Sequence, residues 1–350
     1  MNLCHKSCLS YDDILLEPQF SDIRSRTEID ISSDLGVGLE LSLPIISSPM
    51  DTISEAGMAV AMAKHGGAAI VHRYSSIEEQ IRQIKMAYAL SNKTSSHNLM
   101  MGAAVGVSGD FVERAVMLNK EFVNFICVDV AHGHHILMKE ALGRLRMALG
   151  EDVHIMAGNV ATLEGINDLA DWGADSVRCN IGGGSICSTR IQTGHGIPGL
   201  QTIMDCAKTD RNIKIIADGG IRNSGDIVKA LAAGADAVMC GSLFAGTDET
   251  PGKIFQDLDG TSWKSYRGMA SKEAQVEWRG RYNSFEGVAT RVPYRGPMRH
   301  ILNDLEGGVR SGFSYSGARN LVELQSKAKL VRQTASGLSE GHTHISTRKW

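Results

Sequence analysis

The 350-residue sequence predicts an α/β protein, a single (β/α)8 barrel with a long insertion after its eighth strand. Two observations carry that prediction. Eight short apolar runs, many of them β-branched, recur along the chain, each continuous rather than alternating, as strands buried on both faces must be. Helix-patterned stretches separate them, and most runs end in Gly, Ser, Asp or His, so polar residues collect at one end of the barrel. A doubly wound sheet is the alternative, but it wants a glycine fingerprint after the first strand, and none follows there.

Taken in order, the strand runs are Pro44–Ser48, Ala68–His72, Gly102–Val105, Phe125–Val130, His154–Gly158, Ser176–Cys179, Lys214–Ala217 and Ala237–Cys240. The helical stretches are Glu55–His65, Ile77–Leu90, Phe111–Leu118, Ile136–Leu149, Leu163–Trp172, Leu200–Ala207 and Gly225–Ala233. Thr162 and Ser224 stand where N-caps belong, because a short hydroxyl side chain can take an orphan N–H of the first turn. Gly173 and Gly234 stand where helices stop. Gly246–Pro297 is too long for an ordinary barrel loop, and such insertions at a barrel mouth are typically lids or substrate walls. Met298–Leu305 and Ala318–Thr334 are expected as the last helices, with the polar Ala335–Trp350 extended or docked on a neighbour.

A net charge of −3 and a pI near 6.5 give no bulk attraction to nucleic acid or to an anionic membrane. No apolar run is long enough to span a bilayer, and the opening MNLCHKSCLSYDD lacks a signal-peptide core. The seven cysteines (4, 8, 127, 179, 187, 206 and 240) are odd in number and scattered, which fits reduced thiols in a cytoplasmic protein. Cys4 and Cys8 have no second pair at ligand spacing. His132, His134 and His135 likewise lack a matched carboxylate or cysteine at a known zinc spacing. The 15 methionines read as packing.

The stretch Asn180–Pro198, NIGGGSICSTRIQTGHGIP, concentrates chemistry. Gly182, Gly183 and Gly184 let the backbone curl closely around a ligand. Ser185 offers a hydroxyl to an anion, and Cys187 is the strongest nucleophile in the stretch. Thr189 and Arg190 follow, able to hydrogen-bond or hold charge beside a reacting centre. A glycine nest and an arginine next to Cys187 suggest a stabilised thiolate. Asp218-Gly219-Gly220-Ile221 and Met239-Cys240-Gly241-Ser242 follow strands seven and eight, where barrels often bind phosphate. Asp218 is anionic and suits ribose hydroxyls, which leaves the backbone N–H groups for the phosphate. Asp129 suits a ribose or an amide.

These residues resemble the IMP dehydrogenase/GMP reductase family. The matching motifs are YDDILLEP (11–18), SSPMDT (47–52), VDVAHGH (128–134), AGNVAT (157–162), GSICSTR (184–190), IADGGIRNSGDI (216–227), VMCGSLFAGTDETPG (238–252), YRGMAS (266–271) and EGGVRSGFSYSGA (306–318). They cover nearly the whole chain in family order. The resemblance implies a cytoplasmic homotetramer acting at C2 of a purine nucleoside monophosphate, GMP or IMP, with a nicotinamide cofactor. It implies that Cys187 attacks C2, that Ser185, Asp218, Gly220, Gly241, Ser242 and Tyr266 hold ribose and phosphate, and that Ser48, Met50, Gly268 and Met269 contact the base. Asp129 is implied as the cofactor acceptor, with Val130, Ala131 and Asn159 beside it. Backbone carbonyls of Gly182, Gly184 and Cys187 are implied to hold a monovalent cation such as K+. Gly-Gly-Gly-Ser replaces the usual Gly-Pro-Gly-Ser, Ser188 a common threonine, and His195 an apolar or aromatic residue. Only Ser91–Asn98 lies between Leu90 and the third strand region, so residues 1–350 are expected as one catalytic barrel domain without the CBS pair of typical dehydrogenases.

Both family reactions pass through a thioimidate on the cysteine. The dehydrogenase reaches it by hydride loss to NAD+ and needs activated water; the reductase reaches it by expelling ammonia from GMP and takes hydride from NADPH. The dehydrogenase resemblance makes Arg281 and Tyr282 the water-activating pair on a mobile flap. Only three residues separate Tyr282 from Glu286, which leaves little room for such a flap. Tyr-x-x-x-Glu-Gly resembles the reductase, whose Thr–Glu pair would be Thr189 and Glu286. The motifs IADGGIR, SGDI and RSGF read more like the dehydrogenase. GMP reductase with NADPH is therefore the expected activity, and IMP dehydrogenase with NAD the alternative.

Overall fold

The computed structural model of the protein describes residues 7–92, 99–282 and 285–343. Eight parallel strands close a barrel: β1 (Ile45–Ser47), β2 (Ala68–Val71), β3 (Met101–Val105), β4 (Phe125–Asp129), β5 (His154–Val160), β6 (Ser176–Cys179), β7 (Lys214–Asp218) and β8 (Ala237–Cys240). Each pairs with its sequence neighbours, and β8 returns to β1 in the register Val238–Ile45, Met239–Ile46 and Cys240–Ser47. All eight expected strands are present. Their runs are continuous because alternate residues face two apolar layers. Ile46, Ile70, Ala104, Phe125, Met156, Ile216 and Met239 fill the inside, closed by Leu35, Leu39 and Leu41 beneath. The other residues pack on the surrounding helices.

Those helices are α1 (Ala56–Lys64), α2 (Ile77–Asn92), α3 (Phe111–Lys120), α4 (Ile136–Leu149), α5 (Leu163–Asp171), the short α6 (Thr189–Thr193), α7 (Gly199–Cys206) and α8 (Ser224–Ala232). Thr162 caps α5 by accepting from the Gly165 N–H at 3.0 Å. At α8 the cap is Asn223, which accepts from Asp226 N at 2.9 Å; Ser224, the expected cap, is instead the first helical residue.

The insertion carries an antiparallel sheet of β9 (Phe255–Gln256), β10 (Ser262–Arg267) and β11 (Ala289–Pro293), with α9 (Lys272–Arg279) between the last two. Buried Lys264 anchors it by donating to the carbonyls of Thr247 and Thr250. The chain then forms α10 (Met298–Tyr315), α11 (Leu321–Lys327) and α12 (Ala335–Glu340).

Three expectations for this end change. The first helix runs on through Gly307 and Gly308 to Tyr315. There the glycines provide close packing: a Cβ at Gly308 would stand 2.5 Å from that of Ser224, and one at Gly312 would stand 2.5 Å from Val228. Ala318–Thr334 is not one helix, because Leu330–Arg332 leaves it to pair antiparallel with Ile14–Leu16. The tail is helical over Ala335–Glu340 rather than extended, and 344–350 lie outside the described residues, as do Cys4 and most of the Ser91–Asn98 connection. Among the described residues no helix is long and apolar enough to cross a membrane.

Candidate active site

The C-terminal ends of the barrel strands and the insertion enclose a cavity of about 270 Å3. Nearly every residue expected at the site lines it. Ser48 and Met50 come from the β1 loop, Asp129, Val130 and Ala131 from β4, and Asn159 from β5. Gly182, Gly184, Ser185, Cys187 and Thr189 come from the β6 loop, Asp218 and Gly220 from β7, Gly241 and Ser242 from β8. Tyr266, Gly268, Met269 and Glu286 come from the insertion. Arg281 and Tyr282 are not in the lining; Tyr282 is exposed and stacks under the Lys272 ammonium, 4.7 Å from its ring centroid.

The β6 loop turns at Gly182, whose φ of +77° favours a residue without a Cβ. Cys187 closes the turn by donating its N–H to the Gly184 carbonyl at 3.1 Å, just before α6 begins. Its thiol donates to the Thr189 hydroxyl at 3.2 Å, and that hydroxyl donates to Glu286 Oε2 at 2.7 Å. Backbone bonds hold this alignment. Ser188 N donates to Glu286 O at 2.9 Å, Val288 N to Ile186 O at 3.0 Å, and Glu286 N to Ala270 O at 3.0 Å. The segment from Glu286 to Val288 is thus stitched to the cysteine loop on one side and to the YRGMAS turn on the other.

On the β7–β8 side, Ser185 Oγ and the Tyr266 hydroxyl lie 3.2 Å apart. Burial raises the Tyr266 pKa, against hydrogen bonds from Ser185 and Ser242 that lower it. A Cβ at Gly241 would sit 3.1 Å from Met50 Sδ and 3.5 Å from Ser48 Oγ, so a side chain there would press on the β1 loop. Neighbouring thiols do different work. Burial pushes the Cys127 thiol up to about 11 and that of Cys240 higher still, which keeps them as protonated packing groups.

The sequence reading missed Arg178. It is an arginine inside the otherwise apolar β6, 6% exposed, and it joins two walls of the cavity. Its Nη1 donates to Asp129 Oδ1 at 2.6 Å, while Nη2 and Nε donate to Asp218 Oδ2 at 2.9 and 3.0 Å. Burial opposes its charge, yet the Asp218 and Asp129 carboxylates hold its pKa well above the ordinary value. Asn159 Nδ2 also donates to Asp218 Oδ2 at 2.8 Å, and its Oδ1 is buried without a hydrogen-bond partner among the described residues. The charged residue within a buried run was the available signal.

Arg190 corrects an expectation. Its guanidinium donates not to Cys187 but to the carbonyls of Ile181, at 3.2 Å, and Ile197, at 2.6 Å, and so ties the two ends of the loop together. His134 is bonded to Asp168 at 2.8 Å, and no group of three metal-ligating side chains occurs among the described residues.

The model of the IMP dehydrogenase / GMP reductase domain matches residues 8–344. The inosine-5'-monophosphate dehydrogenase of Cryptosporidium parvum is 38% identical, over 96% of this chain and 94% of its own length. The GMP reductase of Leishmania major is 32% identical, over 96% of each. Among solved structures, GMP reductase from Trypanosoma brucei in complex with guanosine 5'-monophosphate superposes with a TM-score of 0.90, at 31% identity, over 97% of this chain and 98% of that one. With the barrel, the cysteine loop and the matched motifs in place, the chain belongs to the IMP dehydrogenase/GMP reductase family, oxidoreductases of purine nucleoside monophosphates that use a nicotinamide dinucleotide as hydride carrier.

Proposed function

We propose that this protein is an NADPH-dependent GMP reductase. The observation that carries the reading is the pinned Glu286. A hydrolytic flap must leave the site and return, but Glu286 is bonded through its backbone to both the cysteine loop and the YRGMAS turn. Its carboxylate instead faces the thiol through one hydroxyl. That order of groups suits the protonation of a leaving amine.

In this reading Cys187 Sγ adds to purine C2 of GMP. Glu286 and Thr189 pass a proton to the C2 amino group, the C–N bond breaks, and ammonia leaves a thioimidate on sulfur. The cofactor, when bound, supplies the hydride to C2. The C–S bond then breaks, IMP departs, and Cys187 takes up a proton again. GMP, NADPH and two protons give IMP, NADP+ and ammonium. Ser185, Gly220, Gly241, Ser242 and Tyr266 hold the phosphate, Asp218 the ribose, and Ser48, Met50, Gly268 and Met269 the base.

The Asp129 side fits a dinucleotide. Arg73 Nε and Asn159 Oδ1 are a buried donor and a buried acceptor with no hydrogen-bond partner among the described residues, both on residues that line the cavity. Val130 and Ala131 form the adjoining wall. The carbonyls of Gly182, Gly184 and Cys187 are neutral oxygen donors of the kind hard cations take, and Gly184 O keeps a second lone pair beside its bond to Cys187 N. They would hold a monovalent cation such as K+. A homotetrameric, cytoplasmic enzyme built as one barrel domain belongs to the same reading.

The motifs IADGGIR, SGDI and RSGF favour a second reading, an IMP dehydrogenase using NAD+. Two assays at 340 nm separate them: GMP with NADPH, and IMP with NAD+. Absorbance loss only in the first is expected. NAD+-dependent formation of XMP in the second would reverse the assignment.

A further inference from the structure

Helix α9 buries only Ala274 along its length, so little of its own surface secures it to the barrel. Two side chains near its C-terminal end hold it to neighbouring segments. Glu277 accepts from Arg267 Nη1 at 2.5 Å, and Arg267 turns its Nε to Asp51 at 3.0 Å. Trp278 sets its ring edge-on against Tyr74, with centroids 5.1 Å apart and planes at 77°.

Arg73 stands at the junction. Its guanidinium carbon lies 4.9 Å from the Tyr74 ring centroid and 5.6 Å from that of Trp278, within the range where aromatic rings attract a cation. Its Nη2 donates to the Asp129 carbonyl at 3.1 Å. Its Nε is buried, has no hydrogen-bond partner among the described residues, and lies 3.8 Å from Asp129 Oδ2. Arg73, Tyr74 and Asp129 line the cavity, whereas Trp278 stands behind them.

We propose that Trp278 is a positioning residue for the nicotinamide dinucleotide. By docking α9 on Tyr74 and Arg73, it fixes the Arg73 Nε–H at the Asp129 side of the pocket, ready for an acceptor oxygen of the cofactor. The inference rests on the reading of the Asp129 side as the cofactor's. Trp278 touches no reacting atom and acts through Arg73.

The test measures binding apart from turnover. In a Cys187→Ala background saturated with GMP, calorimetry with NADPH is expected to show about tenfold weaker binding for Trp278→Ala, with GMP affinity unchanged. Trp278→Phe, which keeps a ring, should restore most of the loss. Arg73→Met should weaken NADPH at least as much as Trp278→Ala, and the double variant no further, because both changes remove one contact. With Cys187 intact, the same substitutions should raise the KM for NADPH in turnover far more than they lower kcat. Should Trp278→Ala fail to fold, Trp278→Gln keeps bulk without a ring and takes its place. Additive losses in the double variant, equal losses of GMP and NADPH, or no loss at all would overturn the proposal. If the protein turns over IMP with NAD+ instead, the reductase reading fails. The series is then titrated with NAD+ and IMP, where non-additivity supports the role of Trp278 and additivity removes it.

Discussion

The Thr189 hydroxyl donates to the Glu286 carboxylate at 2.7 Å although 97 residues separate the two in sequence. The same hydroxyl accepts from the Cys187 thiol at 3.2 Å. Sulfur, hydroxyl and carboxylate therefore lie in one hydrogen-bonded line, with the oxygen of Thr189 as its only intermediate. The line does not depend on side-chain rotamers alone. Cys187 bridges to Gly287 through the backbone, and Gly287 bridges in turn to Ser271. A barrel loop and an insertion are thus bonded together exactly where a proton would have to move.

Cys187→Ala is expected to abolish turnover and to retain nucleotide binding. The thiol is half-buried on the cavity, and its loss leaves the glycine turn and its backbone bonds in place. Substantial residual turnover, measured in either direction, would remove covalent catalysis from the reading.

The phosphate subsite predicts a simple discrimination. If the β7 and β8 loops hold the 5'-phosphate through Gly220, Gly241 and Ser242, guanosine should bind far more weakly than GMP. Comparable calorimetric affinities for the two would mean that these loops serve another purpose.

Arg178 predicts a stability effect of known origin. It is buried between Asp129 and Asp218, so Arg178→Met leaves two carboxylates, 14% and 12% exposed, without their shared cation. Removing one partner from a fully buried pair costs about 3–5 kcal/mol, and the partial exposure of these carboxylates puts the expected loss at the lower end. Denaturant melts should report a loss of that order, and Arg178→Lys, which keeps charge without the fork, a smaller one. A Met variant as stable as the parent would mean the two carboxylates are protonated or rehydrated when Arg178 is absent.

Much of this was legible in the chain. The eight barrel strands could be read because a strand between two apolar layers leaves a continuous apolar run, and the mouth because polar residues follow those runs. What stayed hidden depends on partners distant in sequence or on side-chain direction. Leu330–Arg332 looks helical until Ile14–Leu16 arrives to pair with it. Arg178 needs carboxylates from β4 and β7 to justify its burial. Arg190 stands three residues from Cys187, yet the local sequence does not reveal that its side chain turns to Ile181 and Ile197. The Asn223 cap differs from the expected one by a single place, since both asparagine and serine can fill that role.

Stability should fall on mild acidification through His154. The ring is buried, with one nitrogen 2.8 Å from Ser176 Oγ and the other 3.1 Å from Gly36 O. Burial is the largest influence and lowers its pKa below the ordinary 6.5. A base whose folded pKa is lowered binds more protons when unfolded, so its contribution is complete above the unfolded value. That contribution is lost as pH drops from about 6.5 toward the folded pKa. Melting curves between pH 7 and 5 should show the decline, and His154→Gln should flatten it. An equal slope in that variant would assign the acid sensitivity to other groups.

The direction of the reaction is tested most sharply at Glu286. Deamination needs an acid near the departing amine, and Glu286 reaches the thiol's neighbourhood through Thr189. Hydrolysis needs a base that arrives after the cofactor has gone, which calls for a lid that moves. Arg281 and Tyr282 are absent from the cavity lining, and the backbone of Glu286 is bonded on both sides. Displacing that pair into the site across only three intervening residues should therefore strain the bonds that hold Glu286. Glu286→Gln keeps the size and the hydrogen-bonding ability of the side chain but can no longer supply the proton. It is expected to slow ammonia release from GMP by about 100-fold or more, within the range of general acid–base groups. Arg281→Ala should do less damage to the same step, read as ammonia formed per unit time. The opposite ranking, together with NAD+-dependent formation of XMP by the unaltered protein, would make this an IMP dehydrogenase with a compact flap.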